Sequence, residues 1–121
     1  MNTQQRTAPR QEVAGAPPMP ATQVARMRAA IDRAVAVGPG FLRGEVDANR
    51  MANTMVGAVR GYVDQERAAG SDGKPHDNQA RELQGILAEL MTCGSGFLAR
   101  RCDAACVART MTQMVREFGV H

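Results

Sequence analysis

The sequence has no tryptophan, one tyrosine (Tyr62) and three phenylalanines (Phe41, Phe97, Phe118). So few rings cannot stack a run of bases or build an aromatic cage. Long apolar runs are also missing. No window approaches the roughly 18 apolar residues of a membrane span. Arg26, Arg28, Asp32 and Arg33 interrupt the first apolar stretch, and Glu82 and Glu89 interrupt the third. The first 22 residues are polar and Pro-rich and lack the apolar core of a Sec signal peptide. The expected location is the cytoplasm, or outside the cell by a Sec-independent route.

Histidine is scarce, with only His76 and His121, and both read as solvated. No Gly-x-Ser-x-Gly, His-Glu-x-x-His or P-loop occurs. Around Gly73, a calcium-loop register puts Ala68 and Gln79 at the first and last ligand positions, which fails the requirement for carboxylates there. Gly38-Pro39-Gly40-Phe41-Leu42 lacks the third glycine and the preceding strand of a dinucleotide site. No enzymatic activity and no cofactor are expected.

Lysine is nearly absent: Lys74 stands against fourteen arginines, and with abundant Ala, Gly and Val this suggests a high-GC bacterial genome. The net charge is +3 and the pI about 9.1. The surplus is spread over three segments rather than clustered, so a mildly basic solvated surface is favoured over a polyanion site. Nucleic acid is not an expected partner, and binding to an anionic membrane would be weak. The C-terminal segment 107–121 resembles the first helix and turn of a helix-turn-helix, but the sequence stops where a recognition helix would begin.

What the chain does have is a repeat. Shifted by 56 residues, Gly38, Gly40, Phe41 and Leu42 fall on Gly94, Gly96, Phe97 and Leu98. Asp47 and Ala48 fall on Asp103 and Ala104, and Ala52, Thr54, Met55, Val59 and Arg60 fall on Ala108, Thr110, Met111, Val115 and Arg116. Helical apolar stripes accompany the match. They are Val24, Met27, Ile31, Ala34 and Val35; Met51, Met55, Ala58, Val59 and Tyr62; Leu83, Ile86, Leu87, Leu90 and Met91; and Val107, Met111, Met114, Val115 and Phe118.

The stripes predict helices over 22–37, 47–66, 78–93 and 103–118. Thr22, Asp47 and Asp103 suit N-caps, and Gly38 and Gly94 read as helix stops. Each Phe-Leu pair would then tuck under a turn. Gly70 to Pro75 joins the two copies. The expected fold is all-α: a four-helix bundle made of two duplicated helical hairpins (22–66 and 78–120), after a flexible Pro-rich tail of residues 1–20. The same connector could let hairpins swap between chains, so a homo-oligomer is a possible form.

Three cysteines, Cys93, Cys102 and Cys106, stand where the first copy has Val37, Val46 and Arg50. They read first as small buried hydrophobes. A Cys93–Cys102 disulfide, a Cys102–Cys106 pair one helical turn apart, or a reactive Cys106 in a first helical turn near Arg100 and Arg101 are the alternatives. The spacing Cys-x8-Cys-x3-Cys is no standard zinc pattern, and no metal is expected. Met27, Met51, Met55, Met91, Met111 and Met114 read as core, with an adaptable partner groove as the sharper alternative.

The function expected is a non-enzymatic helical module for protein–protein interaction or regulation. Arg26, Arg33, Arg60 and Arg116 are the candidate rim charges for an acidic or apolar partner helix. The alternatives are a secreted bacterial effector or secretion-system component with a polar leader, and a weakly basic binder of polyanions or anionic membranes.

Overall fold

A computed structural model of the protein describes residues 22–119. The expected tail of residues 1–20 and His121 lie outside the described residues. Four helices follow one another: α1 (Gln23–Leu42), α2 (Ala48–Ala68), α3 (Asn78–Leu98) and α4 (Ala104–Phe118). They form the all-α four-helix bundle that the apolar stripes predict. Among the described residues no helix is long and apolar enough to cross a membrane.

The helix starts follow from side-chain capping. Thr22 Oγ1 accepts from Ala25 N at 3.1 Å. Asp47 and Asp103 each accept the amide three residues on, from Arg50 at 2.8 Å and from Cys106 at 3.0 Å. Asp77 caps α3 in the same way, through Ala80 N at 2.8 Å. Each cap satisfies one of the amides that a first helical turn leaves without a partner.

The helix ends depart from the sequence expectation. Gly38 and Gly94 do not stop α1 and α3, which run on through Phe41-Leu42 and Phe97-Leu98. Both glycines are buried instead, at close approaches between the two hairpins. A Cβ on Gly38 would meet Val115 Cγ2 at 2.6 Å and Met111 Cε at 3.0 Å on α4; one on Gly94 would meet Ala52 O at 2.9 Å and Val56 Cγ2 at 3.0 Å on α2. These glycines set how near the helices can pack. Even Pro39 sits inside α1; lacking an N–H, it gives up one helical hydrogen bond. Phe41 and Phe97 pack against the core, but Leu42 and Leu98 remain exposed.

This arrangement makes a prediction. Gly94→Ala should lower stability by about 1–2 kcal/mol in urea denaturation, because its neighbour is a backbone carbonyl that cannot swing away. Gly38→Ala should cost less, since both atoms it meets belong to side chains: the flexible Met111 end can swing away, and the stiffer Val115 must change rotamer. Equal losses at the two sites would sink the close-approach argument.

The core is aliphatic and rich in methionine. Met27, Ile31, Met51, Met55, Leu90, Met111, Met114 and Val107 are its largest fully buried side chains. Met91 differs, being only half-buried. α2 packs most extensively on α3 and α1, α1 also packs on α4 and on α3, and the α3–α4 contact is smaller than any of these.

The two hairpin connections share hydrogen bonds. In the first, Arg43 N donates to Pro39 O, Gly44 N to Phe41 O and Glu45 N to Gly40 O. In the second, Ala99 N donates to Ser95 O, Arg100 N to Phe97 O and Arg101 N to Gly96 O. Gly44 has φ 83°, and Arg100, at the matching place, is held at φ 63°. Left-handed backbone suits glycine and strains arginine.

Between the hairpins, residues 70–76 are held against the start of α1. Gln23, buried despite its polarity, donates from Nε2 to Lys74 O at 2.7 Å. Its Oε1 accepts from His76 N at 2.9 Å. His76 itself is exposed.

Candidate functional site

The α3–α4 end of the bundle carries the chemistry. Cys93 lies on α3, one residue before the close-approach Gly94. Cys102 lies in the connection, directly before the capping Asp103. Cys106 sits in the first turn of α4. The sharp connection folds this segment back so that the three sulfurs all lie within 4.8 Å of one another. Every cysteine of the chain is in this cluster, and all three are free thiols.

Their surroundings differ. Cys93 is buried, while Cys102 and Cys106 are half-buried, so the reading as packed hydrophobes describes Cys93 best. The Cys93 thiol points at Cys106 O, 3.9 Å away, and the Cys102 thiol at Cys93 O, 3.6 Å away. Burial pushes the Cys93 thiol above its ordinary value, opposed by the Thr110 hydroxyl. Cys102 is pushed up to about 11, by burial first and then by the neighbouring thiols. Both therefore carry their protons at neutral pH. In the first connection Val46 lies over Gly40, at 3.4 Å from a Cβ built there; in the second the Cys102 sulfur lies over Gly96 at 3.5 Å. The glycine makes room for a side chain from the connection in each case.

The thiols form one wall of an open cleft of about 840 Å³ between α3 and α4. Small exposed residues of α3 (Gly85, Ala88 and Thr92) line its length, Met91 adds a thioether, and Glu89 and Arg101 stand beside it. The Met91 sulfur accepts a hydrogen bond from Ser95 Oγ at 3.2 Å.

The four candidate arginines do not share one site. Arg26 is paired within the bundle: its Nε donates to Glu66 Oε1 at 2.7 Å, and this carboxylate is almost fully buried. Arg33 and Arg60 are exposed, and Arg33 reaches across to Gly61 of α2. Arg116 is exposed on α4 and lines a shallow hollow with Arg109 and Glu117. Of the two aromatics following Arg60 and Arg116, Tyr62 is buried, and Phe118 lies under the guanidinium of Arg28, 5.4 Å from the ring centre.

Sequence reasoning missed Gln23 and Glu66, the two buried polar residues among the described residues. It also did not bring the three thiols to a point. Comparison of the chain with models of known families, with curated proteins and with solved structures gives no match.

Proposed function

We propose that this chain is a non-enzymatic helical module that acts by binding a protein partner along the α3–α4 cleft. The observation that carries the reading is the cleft itself. Its α3 wall is made of small exposed residues at helical spacing, Gly85, Ala88 and Thr92, which lets a partner helix approach closely. The half-buried Met91 provides an adaptable apolar contact of the kind used at surfaces that accept partner helices. The five other core methionines are fully or almost fully buried and serve packing. The matched hydrogen bonds of the two connections support an internal duplication of the hairpin. On that view the second copy has diverged at this end, where thiols replace two valines and an arginine. Arg33, Arg60 and Arg116 remain the candidate rim charges, and Arg26 is committed to Glu66.

A photo-cross-linking residue placed at Ala88, in the full chain expressed in its native host, tests the proposal. The same probe at Gln65, exposed on α2 and away from the cleft, is the control. One partner captured in stoichiometric yield from position 88, absent from position 65 and lost on Gly85→Arg, is expected. Equal capture from both positions, or none from either, would overturn the docking face.

A further inference from the structure

We propose that Cys93, Cys102 and Cys106 form a three-thiolate site for one monovalent copper ion. The inference rests on reading the α3–α4 cleft as the partner-docking face, and it names a ligand that would regulate docking there.

The geometry is close to that of a bound site. A metal–thiolate bond of about 2.3 Å places three sulfurs around one ion roughly 3.8–4.0 Å apart. The sulfurs already lie within 4.8 Å of one another, so binding asks for closure on the order of 1 Å. Cys102 and Cys106 can move, because one is in a connection and the other in a first helical turn.

The donor set selects the ion. Among the described residues, the cluster of mutually close donor atoms contains three sulfurs and no imidazole or carboxylate. Soft thiolates favour monovalent copper and zinc over hard cations. Zinc in a structural site takes four ligands, whereas this cluster offers three. A low-coordinate soft ion is the better fit, and the thioether of Met91 lines the same cleft.

Charge also balances in part. One copper(I) entering three thiols releases three protons to solvent and leaves a complex of net charge −2. Arg101 borders the cleft, and Cys106 lies in the first turn of α4, where the helix dipole favours negative charge. Drawing Cys93 of α3 toward Cys106 of α4 pulls the two helices together. Copper would thereby narrow the cleft in which the partner docks.

The test uses the reduced full chain under anaerobic conditions, with copper(I) supplied as its bicinchoninate complex. The expected result is transfer of one copper per chain and a shell of three sulfurs in copper-edge X-ray absorption. The double variant Cys102→Ser/Cys106→Ser should weaken binding by at least ~100-fold, the upper range for loss of a mere outer-shell partner. The absorption measurement needs no variant, so a misfolded double mutant leaves the proposal testable. No transfer, fewer than three sulfurs, undiminished binding by a folded double variant, or preferential retention of zinc over copper(I) would each overturn it. Copper transfer without a partner at position 88 would sink the docking reading alone. Capture at position 88 without copper transfer would sink this inference alone.

Discussion

Met111→Ala should destabilise the protein by about 3 kcal/mol, within the range for truncating a fully buried methionine. For a domain of this size that corresponds to a fall in melting temperature of roughly 12–24 °C. Met111 has no exposed surface, and its Cε approaches the face of Gly38. Truncation leaves a void between α1 and α4 that only the backbone could close. Met91→Ala, on the half-buried cleft residue, should cost less than about 1 kcal/mol, because water already reaches the side chain. The double variant Gly38→Ala/Met111→Ala adds a sharper test. The methyl group at position 38 would meet Met111 Cε at 3.0 Å, a contact that the truncation removes. The two changes should therefore be less damaging together than their sum, by about 0.5–1 kcal/mol in a double-mutant cycle. Additive losses would show that Gly38 and Met111 do not share the packing described above.

The same residues show how far the sequence could be read. Helix existence, three of the four caps and the core stripes were legible, because they depend on local spacing and on short-range side-chain hydrogen bonds. The helix ends were not. A glycine in a helical pattern signals a stop or a close approach equally well, and Gly38 and Gly94 acquire their meaning only from Val115 and Ala52 on helices far along the chain. The thiol cluster was illegible for a related reason: its sulfurs converge only through the turn at residues 99–103, whose left-handed Arg100 no propensity would suggest. The buried polar residues left a signal that went unused. Gln23 precedes Met27 by one helical turn and Glu66 follows Tyr62 by one, so periodicity places both on the inward faces of their helices. Residue type argued the other way, and periodicity prevailed.

Glu66 is where that inward polar pattern has the largest energetic consequence. Its carboxylate accepts from Arg26 Nε at 2.7 Å, and the Arg26 guanidinium holds the carboxyl below its ordinary value of 4.5 against the opposing effect of burial. Tyr62 lies beside it, and burial first, then the charge of Glu66, pushes its hydroxyl above the usual phenol range. The unfolded chain therefore takes up the Glu66 proton at higher pH than the folded chain does. The stability from the pair is fully present above about pH 4.5 and is lost as pH falls through the lower folded value. Glu66→Gln should cost about 2 kcal/mol in urea denaturation at pH 7, the scale of a hydrogen bond to a charged group. Its deficit relative to wild type should shrink steadily below pH ~4, as the wild-type carboxyl itself becomes neutral. A deficit that stays constant down to pH 3 would remove the charge from the explanation. The two partners should also be unequal. The Arg26 side chain keeps 18% of its surface exposed and Glu66 only 4%. With Glu66 gone, the guanidinium can turn to water; with Arg26 gone, the carboxylate stays buried beside Tyr62. Arg26→Met should therefore cost about 3 kcal/mol, more than Glu66→Gln, because it strands a buried charge. It should also raise the apparent pKa of Glu66, so that the variant is relatively less handicapped at pH 4 than at pH 7.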